Sequence, residues 1–120
     1  MKIAVSATGE TKESQLDKRF GRCEFFLVYD TETKEYKASK NQGASSGGGA
    51  GIAAASQVID ENVSGIITGN LGPNAFELIE KAGIKAYSCE VVPVYEAVEM
   101  FQNDKLANIT LAGNSHHGMK

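Results

Sequence analysis

The sequence predicts an α/β domain whose parallel sheet is covered by helices and carries one antiparallel strand. Two observations predict it. In the second half, short apolar segments alternate with stretches of helical periodicity, the pattern of a parallel sheet with crossover helices. In the first half, an aromatic run, a turn and an alternating segment read as an antiparallel hairpin. A chain of 120 residues holds one such domain with a real core and is too short for two.

Ile3–Ala7 reads as the first strand, followed by a polar loop from Thr8 to Asp17. Phe25–Tyr29 is a strongly apolar second strand, Asp30–Lys34 a turn, and Glu35–Lys40 its partner, with Tyr36 and Ala38 on one face. Gly43 to Gly51 is a Gly/Ser-rich loop. Ile52, Ala55, Val58 and Ile59 mark the apolar face of a first helix that ends near Asp60–Asn62. Gly65–Thr68 is a short buried strand. Pro73 suits the first turn of a second helix, which carries Phe76 and Ile79 and stops at Gly83. Lys85–Ser88 is a further strand, and Val94, Ala97, Val98 and Phe101 space a last helix that begins near Pro93. The domain is placed at residues 1–106, with 107–120 a polar, flexible tail.

Composition narrows the function. A net charge of −3 gives no bulk attraction for nucleic acid or an anionic membrane, so any anion site has to be local. No apolar run reaches the roughly 18 residues of a membrane span, and no signal-peptide pattern opens the chain. A cytoplasmic protein is expected. Cys23 and Cys89 form no CxxC pair and read as free thiols in a reducing compartment. The first strand carries no acidic residue for a nuclease-type metal site, and no spacing of Ser, His and Asp suggests a triad.

Three loops carry the chemistry instead. In Asp17–Cys23, Arg19 and Arg22 offer rigid forks of donors for an anion, and Gly21 permits a sharp turn between them. Beside two guanidiniums the Cys23 thiolate is expected to be favoured, the form that ligates metals; the alternative is a small packed thiol. Ser45, Ser46, Gly47, Gly48 and Gly49 lead into a helix start, where unpaired N–H groups and the dipole favour negative charge. This loop lacks the Lys-Ser/Thr of a phosphate-binding P-loop and the spacing of a dinucleotide motif, so a flexible connector is its rival reading. Asn70, Gly72 and Asn74 lie between a buried strand and a helix, on the same strand-end side as the glycine loop. A structural turn explains them equally well. His116 and His117 are candidate metal ligands on the tail.

Taken in order, Asp17-x-Arg19-Phe20-Gly21-Arg22, then Ser46-Gly47-Gly48-x-Ala50-Gly51-Ile52, then Gly69-Asn70-x-Gly72-Pro73-Asn74-Ala75-Phe76 resemble the dinitrogenase iron–molybdenum cofactor biosynthesis family. That family includes NifX and the C-terminal domain of NifB. The resemblance runs from about Met1 to Leu106, and within the family the motifs look closest to the orange protein group, which binds a molybdenum–copper sulfide cluster. It implies a ribonuclease-H-like three-layer α/β/α domain with a five-stranded mixed sheet, one strand antiparallel. It also implies a non-enzymatic carrier of an anionic metal–sulfur cluster, either an iron–molybdenum cofactor precursor or a molybdenum–copper sulfide. The expected partners are cluster-assembly or cluster-receiving proteins, and the expected state is a monomer or weak homodimer. The glycine run Gly47–Gly49 departs from the NifX pattern, where many relatives carry a histidine, and weighs against a histidine-ligated iron cluster. Two other classes stay open: a binding module for a small organic anion, and a protein-interaction subunit that carries no metal.

Overall fold

The computed structural model describes residues 1–43 and 49–110. The strands are β1 (Lys2–Ala7), β2 (Phe25–Asp30), β3 (Glu35–Lys40), β4 (Gly65–Thr68), β5 (Lys85–Ser88) and β6 (Ala107–Asn108). The helices are α1 (Ala50–Asp60), α2 (Pro73–Lys81) and α3 (Val94–Gln102). Each strand and helix read from the sequence forms at its expected place.

The sheet runs in the order β3-β2-β1-β4-β5-β6. β1, β4 and β5 are parallel, and β2 and β3 form the antiparallel hairpin. Five strands with one antiparallel were expected; the described residues form six, because β6 pairs antiparallel with β5 through Tyr87↔Asn108 and Ser88↔Ala107. β6 therefore joins the sheet edge from residues placed in the tail by sequence. Two exposed residues are too few for any periodicity to show.

Alternation along the central strands builds two cores. Ala4, Phe26, Val28 and Ile66 face α1 and α2, while Ile3, Val5, Leu27, Tyr29 and Ile67 face α3. The fully buried Phe26, Ile67 and Leu27 each contribute roughly 2–3 kcal/mol by leaving water. The outer strand β3 exposes Glu35, Lys37 and Lys40, charges that discourage further strand pairing.

α1 buries Ala54, Ala55 and Val58. Ile52 was expected on that face but is 43% exposed. It lies about 110° around the helix from the middle of that stripe, which leaves it at the rim.

The polar stretch after β1 is more ordered than a simple loop. Leu16 in it is fully buried, and its N–H donates to the Val92 carbonyl at 2.9 Å. The Ser14 and Lys12 carbonyls accept the N–H groups of Val94 and Tyr95 at 2.9 and 3.0 Å, closing the start of α3.

Candidate functional site

The site forms where the parallel strands β1 and β4 end. After its excursion the chain returns across those ends as Asp17–Arg19. The Asp17 N–H donates to the Ser6 carbonyl at 2.8 Å, and the buried Ser6 hydroxyl donates to the Asp17 carbonyl at 2.6 Å while lying 2.7 Å from Thr68 Oγ1. Arg19 then forms a parallel bridge with Asn70, whose N–H reaches the Lys18 carbonyl at 3.4 Å. Gly69 makes this approach possible. A Cβ there would stand 2.5 Å from Lys18 Cβ and 2.7 Å from Lys18 Cα.

The next residues, Phe20–Arg22, make one 3-10 turn. Phe20 is buried and packs on Phe26 with ring centroids 5.2 Å apart, anchoring the turn. Gly21 rests on the start of α1, where a Cβ would come within 2.9 Å of the Gly51 nitrogen. Asn41 ties the turn from beneath. Its Nδ2 donates to the carbonyls of Gly21 and Cys23 at 3.2 and 2.9 Å, and its Oδ1 accepts the Gly43 N–H at 3.0 Å.

These contacts leave a cleft of about 360 Å³ between the turn and two helix starts, a size usual for small-ligand sites. Arg19, Phe20 and Gly21 form one side, Gly49, Gly51 and Ile52 of α1 a second, and Asn70 with Gly72–Ala75 of α2 a third. Gly49 and Gly72 are the N-cap residues, and among the described residues no side chain caps either helix. Gly49 adopts φ +74°, which a residue with a side chain rarely takes. Pro73 has no N–H to leave unpaired. Among the described residues no carbonyl from another segment accepts the N–H groups of Gly51, Ile52, Asn74 or Ala75. The first turns of α1 and α2 also touch, since a Cβ on Gly51 would lie 3.5 Å from Ala75 Cβ. Two open helix starts thus border one cavity, each with the positive end of its dipole.

Arg19 is the only charged residue among the described residues that line the cleft. Its guanidinium is held by Asp17: Nε donates to Oδ1 at 3.1 Å and Nη2 to Oδ2 at 3.0 Å, and the Arg19 backbone N–H adds a bond to Oδ1 at 2.9 Å. Burial pushes the Asp17 carboxyl up, but the Arg19 hydrogen bonds outweigh it and hold the carboxyl below its usual range. Arg19 is raised in turn, chiefly by its bond to Asp17.

Arg19, Gly49, Asn70, Gly72 and Asn74, all singled out in the sequence, therefore meet at one cleft. Arg22 is exposed on the same turn but is not among the lining residues. Cys23 corrects an expectation. Instead of a favoured thiolate it is fully buried, donates to the Phe20 carbonyl at 3.4 Å, and is pushed up to about 12, mainly by burial. The turn points its sulfur into the core beside Phe26, so removal from water outweighs any nearby positive charge. Ser45, Ser46, Gly47, Gly48, His116 and His117 lie outside the described residues. Among the described residues no group of three or more His, Cys, Asp and Glu is placed to hold a metal ion. No helix among them is long and apolar enough to cross a membrane.

Sequence reasoning passed over two supports, the Asp17 carboxylate and Asn41. The signal for Asn41 is its place in Asn41-Gln42-Gly43, directly after a strand, where an Asn side chain commonly closes a turn on the N–H two residues on.

The family described as "Dinitrogenase iron-molybdenum cofactor" matches residues 1–104. The uncharacterized protein MJ0580 of Methanocaldococcus jannaschii is 30% identical over 109 residues, covering 88% of this chain and 89% of that protein. Among solved structures, the apo form of the orange protein from Desulfovibrio gigas has a TM-score of 0.87 at 32% identity, covering 91% of this chain and 92% of that one. Thermotoga TM1290, of the DUF35 family, has a TM-score of 0.83 at 30% identity, covering 95% and 97% of the two chains. The chain accordingly belongs to the dinitrogenase iron–molybdenum cofactor family.

Proposed function

We propose that this protein is a non-enzymatic carrier whose cargo is an anionic metal–sulfur cluster, an iron–molybdenum cofactor precursor or a molybdenum–copper sulfide. The observation that carries this reading is the convergence of two uncapped helix starts and Arg19 on one cleft. Backbone N–H groups and a guanidinium grip an anion without bonding to its metal, so a preformed cluster is taken up and released whole. Ile52 and Pro73 give the same cleft apolar surface, which suits the large, weakly hydrated sulfide face of such a cargo. The burial of Cys23 supports holding by hydrogen bonds and charge over holding by a thiolate. Arg22, on the turn that carries Arg19, and the Ser45–Gly48 segment leading into α1 complete the grip in this reading.

The protein then serves cluster-assembly or cluster-receiving proteins in the cytoplasm. Likeness to the orange protein favours the molybdenum–sulfide form of the cargo. On the same reading, β3-β2-β1-β4-β5 with β2 antiparallel is the ribonuclease-H-like sheet, and β6 is added at its edge.

The test is anaerobic titration of the protein with tetrathiomolybdate, with and without Cu(I), followed by visible absorption after desalting. A retained chromophore is expected, lost in Arg19→Ala and kept in Cys23→Ser. Loss in a folded Cys23→Ser variant would restore the thiolate. A colourless protein that also fails to take an iron–sulfur precursor would sink the carrier reading in favour of an organic anion or a protein partner.

A further inference from the structure

The pairing of Arg19 leaves the cleft in an unusual electrostatic state. Its one charged lining residue among the described residues is matched by a carboxylate, and that carboxylate is built in. Asp17 is only 7% exposed, takes three hydrogen bonds from Arg19, and has its backbone clamped to β1 through Ser6. Arg19 itself is 68% exposed, so solvent does not need Asp17 to stabilise the guanidinium. Phosphate, sulfate and molybdate lose strong hydration on entry, and an uncompensated guanidinium or ammonium offsets that loss more strongly than neutral donors do. Among the described lining residues an entering anion meets helix-start N–H groups, apolar walls and a fork whose charge is already cancelled, with Arg22 on the neighbouring turn outside that lining.

We propose that Asp17 is a specificity-determining residue: by neutralising Arg19 it keeps small, strongly hydrated oxyanions out of the cleft and reserves it for bulky, weakly hydrated anions. The proposal deepens the carrier reading and rests on it for the identity of the favoured anion. A large metal–sulfide anion spreads its charge, loses little hydration, and gains from contact with Ile52 and Pro73. Phosphate gains nothing from those walls. Discrimination then comes from a penalty laid on the wrong ligand as much as from attraction to the right one.

The experiment measures binding of phosphate, molybdate and tetrathiomolybdate by calorimetry to the wild type, Asp17→Asn and Asp17→Glu, with thermal melts to establish folding. Asp17→Asn keeps the shape and removes the charge. It should raise phosphate and molybdate affinity by about tenfold, the scale of one charge at short range in a solvent-open site. Tetrathiomolybdate affinity should change less, so the ratio between soft and hard anions narrows. Asp17→Glu restores a carboxylate and should restore the exclusion, which a purely structural role for Asp17 would not predict. Equal shifts for all three anions, or no gain of oxyanion binding by folded Asp17→Asn, would overturn the proposal. Should Asp17→Asn not fold, Asn74→Lys asks the same question from the exposed opposite wall. An uncompensated ammonium there must admit phosphate by a similar factor, and its failure to do so overturns the proposal equally. If the wild type binds no tetrathiomolybdate, the carrier reading fails while the gain of phosphate binding still decides the role of Asp17.

Discussion

The two ends of this molecule that begin helices are finished differently. At α3 the returning loop lends the carbonyls of Lys12 and Ser14 to the first N–H groups, so the chain satisfies its own helix start. At α1 and α2 glycines stand at the caps, no side chain among the described residues bonds back, and both starts border the same cleft as Arg19. The same backbone chemistry is closed where the fold needs it and open where a ligand would use it. The cost of an unpaired donor, about 1 kcal/mol or more when shielded from water, is tolerated on one side only.

The sharpest way to break this contrast is through the floor of the open side. Gly69→Ala forces a methyl against the backbone of Lys18, where no side-chain rotation relieves a 2.7 Å contact with Cα. A loss of about 3 kcal/mol is expected in urea unfolding, at the upper end of overpacking costs. The displaced Asp17–Arg19 segment should also weaken anion binding in whatever protein remains folded. Unchanged stability would mean that the segment is not seated on β4 as described.

Amide hydrogen exchange reads the contrast directly. The N–H groups of Val94 and Tyr95 should be protected at least about 100-fold more than those of Gly51, Ile52, Asn74 and Ala75 in the ligand-free protein. On loading with tetrathiomolybdate the second group should slow and the first should not. Similar exchange at all three helix starts would erase the distinction.

Cys23 tests whether the open side relies on backbone donors alone. Its thiol moves from an ordinary value of 9.0 to about 12 in the fold, chiefly by burial. The unfolded chain therefore releases this proton first, and between those two values the folded state holds more protons than the unfolded one. Stability falls as pH rises through that window, and Cys23→Ala should flatten the fall. Alkylation by iodoacetamide at neutral pH should be slow until the protein unfolds, and rapid modification of the native state would return Cys23 to the candidate ligands.

How far the sequence displays this contrast follows from what each part depends on. The apolar run Phe25–Tyr29, the alternation in Glu35–Lys40 and the helical spacing in Val94–Phe101 are local, so those elements were readable. Arg19 was also readable as a donor, because its residue type states its chemistry without neighbours, and Asn70 to Asn74 as a wall of the site or a structural turn. What was not readable depends on which groups lie close in space. Nothing in Asp17-Lys18-Arg19 says that the side chains at both ends turn toward each other, and nothing in Arg22-Cys23 says that the thiol turns inward. The short β6 is a third case, a pairing decided by the edge of β5 and by the Ile109 N–H bond to the Ala86 carbonyl at 2.8 Å, not by its own composition.

The smallest effect is expected at Gly72, and it separates the two reasons a glycine stands beside this cleft. Gly72 has an ordinary φ of −69°, and a Cβ there would meet no atom of the described residues within 4 Å. Gly72→Ala should therefore change stability by less than about 1 kcal/mol, since neither strain nor collision opposes it and a less flexible unfolded chain offsets part of a poorer cap. Its methyl group would nonetheless stand at the mouth of the cleft, beside the N–H groups of α2. If the open side exists for a bulky ligand, Gly72→Ala should weaken tetrathiomolybdate binding several-fold while leaving the melting curve nearly unmoved. If binding and stability are both untouched, the opening at α2 is incidental and the grip lies with α1 and Arg19 alone.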